Sequence, residues 1–117
     1  MPIDKKVDYI ELPARDLDAA QAFYEAVFNW RFTDYGPDYR AFTDGKVDGG
    51  FYRSDKHSLS ETGAALVIFY ASSLESVRDA IIAAGGKILK DIFDFPGGRR
   101  FQFTDPNGNE LAVWSDK

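Results

Sequence analysis

The sequence predicts an α+β protein: two βαβββ modules forming a cupped mixed β-sheet with the helices on its outer face. Three observations predict it. Twice, an extended stretch leads through a capping residue into a helical pattern, at Tyr9–Leu12 with Asp16 and at Ala65–Tyr70 with Ser73. Each helical pattern is followed by short extended pieces with turn residues between them, including AFTDG at 41–45 and QFTDPNG at 102–108. The offset between the halves barely drifts, since Asp16 and Ser73 lie 57 residues apart and Phe42 and Phe103 lie 61 apart. At 117 residues the chain suits one domain with a shared core rather than two independent ones. Its first module spans about 5–53, a linker about 54–63 and the second module about 64–117.

The elements follow in order. From Val7 to Ala14 the even positions Ile10, Leu12 and Ala14 are apolar while Tyr9 and Glu11 point the other way, the pattern of a strand with one face on a helix. Asp16 is a good helix N-cap, and Leu17, Ala20, Phe23, Tyr24, Val27 and Phe28 recur at helical spacing. The helix should stop near Asn29, with Trp30 plugging its end. From Arg31, turns at Gly36-Pro37-Asp38, Asp44-Gly45-Lys46 and Gly49-Gly50 divide a meander of about three strands. The polar stretch from Arg53 to Gly63 links the halves.

In the second half, Ala65 to Ala71 is so apolar that a strand covered on both faces is expected. Ser72 and Glu75 have capping-box spacing. Leu74, Val77, Ile81 and Ala84 form the helix stripe, and Gly85-Gly86 ends it. Strands are then expected at Lys87–Phe95, Arg99–Thr104 and Glu110–Trp114, with PGG and DPNGN as turns.

Composition excludes several classes of function. A net charge of −5 with no basic stripe argues against nucleic acid. With no cysteine, disulfides, thiolate zinc sites and cysteine nucleophiles are ruled out. The first residues carry no apolar signal core, and no run reaches the ~18 apolar residues of a membrane span, so a cytoplasmic protein is expected. Ten Phe, six Tyr and two Trp are enough to line a pocket or an interface as well as a core.

The paired βαβββ plan, the helix start DLDAAQAFYEAVFNW and the closing FTDPNGNELAVW together resemble the vicinal oxygen chelate superfamily. That superfamily includes glyoxalase I, ring-cleaving dioxygenases, and the fosfomycin and bleomycin resistance proteins. The resemblance covers essentially the whole chain and is closest to the small glyoxalase-like members without assigned activity. It implies the glyoxalase/bleomycin resistance fold and, commonly, a homodimer, to which Trp30–Tyr35 and Tyr39 could contribute. DPNGN and FYEAVF in themselves are a tight turn and a helix face, so they identify the fold rather than a reaction.

Enzymes of this superfamily hold a divalent metal at the cup floor with two ligands from each half. The family's ligand positions fall here on Tyr9, Gly50, Leu66 and Ala112. Leucine, glycine and alanine side chains offer no donor atom, and divalent sites need carboxylates or imidazoles from several strands. The single histidine, His57, sits in the polar linker and reads as a solvated loop residue. No cofactor is therefore expected, and a divalent metal is disfavoured.

Strand alternation gives the lining of the cup. The first half contributes Tyr9, Glu11, Tyr39, Ala41, Thr43, Gly50 and Tyr52. The second contributes Leu66, Ile68, Tyr70, Arg100, Gln102, Thr104, Glu110, Ala112 and Trp114. An aromatic, apolar cavity with Glu11, Glu110 and Arg100 as its few charges is the usual make-up of a small-molecule site. Tyr9, Tyr39, Tyr52, Leu66, Ile68, Tyr70, Arg100, Gln102 and Trp114 are the candidate ligand-binding residues, with Arg100 gripping an anionic group. Glu11 and Glu110 are the candidate acid and base.

Alternatives stay open at this point. The charges could instead pair with one another or stand in water, and the aromatics could fill a core or be covered by a second subunit. Three functions compete: a metal-free small-molecule binder, a metal-dependent lyase or dioxygenase, and a non-catalytic dimeric interaction module. Whether the cup closes within one chain or between two is equally open.

Overall fold

A computed structural model describes residues 2–117 and shows the βαβββ order twice. The first half runs β1 (Tyr9–Ala14), α1 (Leu17–Phe28), β2 (Arg31–Asp34), β3 (Tyr39–Thr43) and β4 (Asp48–Arg53). The second runs β5 (Val67–Tyr70), α2 (Leu74–Ala83), β6 (Lys87–Phe95), β7 (Gly98–Thr104) and β8 (Glu110–Ser115). Each half makes its own four-stranded mixed sheet, ordered β1-β4-β3-β2 and β5-β8-β7-β6, with the first strand parallel to the last and the other pairs antiparallel. A short 3₁₀ turn, Ser60–Thr62, lies in the linker.

Local chemistry sets the element ends. Asp16 caps α1 by accepting from the Ala19 amide at 3.0 Å. Asn29 closes α1 in the left-handed region at φ 59°, a conformation asparagine tolerates. Ser73, not Ser72, caps α2: its hydroxyl accepts from the Ser76 amide, so the expected Ser72–Glu75 box does not form. Gly49 and Gly50 are not a turn either; they sit inside β4. A Cβ on Gly49 would strike the Phe42 ring and the Ile10 carbonyl, so the pair is needed for close approach within the sheet.

The expectation that β5 is covered on both faces fails within this chain. Val67 and Phe69 are half-buried, whereas Ile68 and Tyr70 are 45% and 51% exposed. Leu66 lies one residue before the strand rather than in it. Trp30 does plug α1, buried and stacked on Tyr24 and Phe42 with ring centroids 4.3 and 4.1 Å away. It is therefore core, not a surface available to a second subunit.

One apolar core serves both halves. It joins Leu12, Ala14, Phe42 and Phe51 of the first sheet, Phe101, Phe103, Leu111 and Val113 of the second, and both helices. Helix α1 packs on its own sheet through Tyr24, whose ring lies 5.5 Å from that of Phe51. It packs on the other sheet through Phe28, stacked 4.1 Å from Phe69, and through Phe23, 6.1 Å from Phe103. Because α1 touches the apolar faces of both sheets, their opposite faces turn outward and do not meet within one chain.

The DPNGN turn does more than reverse the chain. Tyr24 donates to Asp105 at 2.9 Å, and Asn107 exchanges hydrogen bonds of 2.9 and 3.0 Å with the Asp16 backbone. Asn109, fully buried, donates to the Pro13 carbonyl at 2.7 Å and accepts from the Ser58 amide at 2.9 Å. The second half's turn is thus fastened to the first half and to the linker. His57 takes part as well: its Nδ1 lies 2.9 Å from the Asn107 carbonyl, so it is an exposed but anchored residue.

Candidate functional site

Pleating puts the side chains of Tyr9, Glu11, Tyr39, Ala41 and Tyr52 on the outward face of the first sheet. Gly50 stands directly opposite both Glu11 on β1 and Ala41 on β3. Tyr39 reaches across from β3 so that its phenol lies over Gly50, where any Cβ would strike it. The Tyr39 hydroxyl donates to Glu11 at 2.9 Å and lies 2.7 Å from the Tyr9 hydroxyl. Burial, helped by the hydrogen bonds with Tyr9 and Glu11 and by their charges, pushes the Tyr39 hydroxyl well above its ordinary value, so it remains a protonated donor. Around this cluster lies an open groove of about 640 Å³, lined by first-half residues that include Tyr9, Arg31, Thr33 and Ala41. Tyr52 lies on the same face, 38% exposed.

The outward face of the second sheet is distinct. Gln102 stands opposite Ala112, and Arg100 opposite Trp114. Glu110 is buried and spoken for: its carboxylate accepts from the Ser60 amide at 2.9 Å, the Ser60 hydroxyl at 2.8 Å and the Gln102 amide. Burial raises its pKa, but the Ser60 and Gln102 hydrogen bonds and the nearby Arg100 charge outweigh that and hold the carboxyl below its ordinary value. It is therefore an ionised structural acceptor, poorly suited to carry protons. Tyr70 and Trp114 meet edge to face at 5.2 Å, and Tyr70 donates to Asp116 at 2.6 Å.

Glu11 and Glu110 consequently occupy different faces of one chain, and no acid–base pair forms between them there. Tyr9, Tyr39, Tyr52 and Glu11 gather on one sheet; Ile68, Tyr70, Arg100, Gln102 and Trp114 gather on the other. Leu66, just ahead of β5, is half-buried. Sequence reading missed Lys90 and Phe93, which also belong to the second face. Lys90 pairs with Gln102 and Phe93 with Arg100, and β-bulges in β6 break the alternation between them.

A second cavity, about 540 Å³, lies where the halves meet. It is bounded by Ile10, Leu12, Trp30 and Phe42 on one side and by Val67, Phe69, Tyr70 and Trp114 on the other.

The metal implied by the resemblance can be tested against these residues. At Gly50 the ligand side chain is missing and its space is taken by the Tyr39 phenol, while the Tyr9 hydroxyl is engaged with Tyr39. Ala112 and Leu66 carry no donor. Among the described residues no three His, Cys, Asp or Glu side chains cluster in a way that could hold an ion. The residues at the family's ligand positions do not fit a divalent metal. No helix among the described residues is long and apolar enough to cross a membrane.

Known proteins share this architecture. A glyoxylase-like domain-containing protein of Didymella fabae is 30% identical over 97% of this chain and 95% of its own length. The putative glyoxylase CFP32 of Mycobacterium bovis is 22% identical over 92% of this chain, which spans only 44% of that relative. Among solved structures, a glyoxalase/bleomycin resistance protein/dioxygenase family enzyme from Burkholderia phytofirmans PsJN superposes with a TM-score of 0.77 at 21% identity, covering 95% of this chain and all of that one. The fosfomycin resistance protein FosX of Listeria monocytogenes gives 0.79 at 18% identity, covering 97% and 94%. Residues 6–113, nearly the whole of both modules, match the family's sequence profile, and the chain belongs to the glyoxalase/bleomycin resistance protein/dioxygenase superfamily.

Proposed function

We propose that this chain binds a small organic molecule in an aromatic cup without a metal, and that two copies close the cup between them. One observation carries the first part. At the floor of the first sheet the Tyr39 phenol fills the space above Gly50, and the polar atoms there satisfy one another through Tyr9, Tyr39 and Glu11. Such a floor offers hydroxyl hydrogen bonds and ring surface to a ligand, not a set of free anionic donors.

The second part is supported by the outward faces. Tyr9, Tyr52, Ile68 and Tyr70 are between 38% and 51% exposed, two on each sheet. Exposed apolar area concentrated on two matched faces points to a covering surface. A two-fold pairing that set the first sheet of one copy against the second sheet of another would cover both faces at once.

Metal analysis of protein purified without chelator, together with sedimentation at micromolar concentration, tests the two parts separately. The expected result is a dimer with far less than one metal per chain. Stoichiometric metal that is lost on Glu11→Gln or Glu110→Gln would restore the metal-dependent lyase or dioxygenase reading, and a strictly monomeric protein would remove the shared cup. A thermal-shift screen with aromatic drugs, dicarbonyl–thiol adducts and small organic acids then separates a binder from an interaction module, because stabilisation follows ligand affinity.

A further inference from the structure

The outward face of the second sheet carries an arrangement that the rest of the fold does not use. The bulges in β6 put Lys90 and Phe93 on one face although they are three positions apart; regular alternation would have put them on opposite faces. The Lys90 ammonium lies 4.2 Å from the centre of the Phe93 ring, and the Arg100 guanidinium carbon lies 5.7 Å from the same centre. Two cations thus lie against one ring, which is favourable for each with the ring but repulsive between them.

Neither cation is among the salt bridges of the described residues, whereas Arg15, Arg40, Arg78 and Arg99 all are. The Arg100 Nε is buried and without a hydrogen-bond partner, a costly state for a guanidinium donor. Glu110 is the nearby acid, but Ser60 and Gln102 already hold its oxygens. An aromatic wall continues from this spot, since the Phe95 and Tyr70 rings lie 6.3 and 5.2 Å from Trp114.

We infer that Lys90 and Arg100 form a receptor for a single oxyanion, a carboxylate or a phosphoryl-type group, borne by a ligand whose flat apolar body lies toward Trp114. This rests on the small-molecule reading above and narrows it to an organic anion. The anion relieves the repulsion between the two cations and supplies the counter-charge that Arg100 lacks among the salt bridges. Lys90 supplies a mobile point charge, while the planar guanidinium fixes the orientation of the group.

Benzoate, phenylphosphonate and neutral benzamide, each titrated at low salt with the Trp114 indole signal followed by NMR, test this. Both anions are expected to bind at least about tenfold more tightly than benzamide, and the preference should shrink as salt is added. Arg100→Gln and Lys90→Met should each remove most of that preference, while Arg100→Lys should keep part of it. If Arg100→Gln does not fold, the Lys90→Met and Arg100→Lys pair carries the comparison. Benzamide binding as tightly as the anions, or an anion preference untouched by these substitutions, would sink the oxyanion receptor but leave the small-molecule reading standing. No response of Trp114 to any of the three probes would sink both. Benzoate and phenylphosphonate differing from each other identifies which oxyanion geometry the pair prefers and still supports the receptor.

Discussion

Tyr24, in the middle of α1, donates a 2.9 Å hydrogen bond to Asp105 in the turn between β7 and β8, so the first half's helix holds the second half's turn. Both residues are buried, and burial first, then the Asp105 charge and their hydrogen bond, push the phenol well above its ordinary value. The hydroxyl therefore stays protonated and donating. Tyr24→Phe keeps the ring stacks and leaves Asp105 one donor short. A loss of about 1–2 kcal/mol in urea unfolding is expected. No change in the unfolding midpoint would mean the bond contributes nothing net.

Asn109 should matter more. Its side chain bridges the Pro13 carbonyl and the Ser58 amide, joining the first strand, the linker and the last strand. Asn109→Ala leaves the buried Pro13 carbonyl and the half-buried Ser58 amide unpaired and opens a small void, so a loss of about 2–4 kcal/mol is expected. The same urea experiment checks it, and a cost below that of Tyr24→Phe would contradict the ranking.

Gly50 and Tyr39 should behave as a coupled pair. Gly50→Ala drives a methyl into the Tyr39 phenol and should cost about 1–3 kcal/mol. In a Tyr39→Ala background the space is free, so the same glycine change should cost much less. A double-mutant cycle measures this, with a coupling of about 1 kcal/mol or more expected. Strict additivity would show that the ring moves aside without penalty.

Glu110 gives the stability a definite pH dependence. Its folded pKa lies below the ordinary value, so folding favours the carboxylate. The contribution is complete above the ordinary glutamate range, near pH 4 to 5, and is lost as pH falls through the lowered folded value. Relative to Glu110→Gln, the wild type should be more stable at about pH 7, with the advantage fading toward about pH 3. An advantage that instead grew on acidification would reverse the assignment.

Much of this could be read from period-2 alternation. Leu12, Phe101, Phe103, Leu111 and Val113 are core, and Tyr9, Glu11, Ile68, Arg100 and Trp114 lie on the other face, as the pattern requires. Alternation fails where the backbone breaks step. The bulges in β6 hid Lys90 and Phe93, because a sequence does not announce which residue is left unpaired. Gly49-Gly50 read as a turn because glycine is the common turn residue, whereas here close approach of Phe42 and Tyr39 demands it. The linker read as a polar connection, yet Ser58 and Ser60 are bonded to Asn109 and Glu110 where the last strand begins, a partnership that no local pattern encodes. Likewise, nothing in the helix stripe of α1 says that Phe28 meets Phe69 of the other half rather than a residue of its own.

That last contact changes what the duplication means. The halves look alike, but α1 buries its aromatic stripe against both sheets at once. Cut at the linker, each piece would expose apolar rings that only its sibling can shield, and aggregation would be the expected fate of either fragment alone. The repeat is a pair of interlocked parts rather than two tiles, and any change to one half is inherited by the packing of the other.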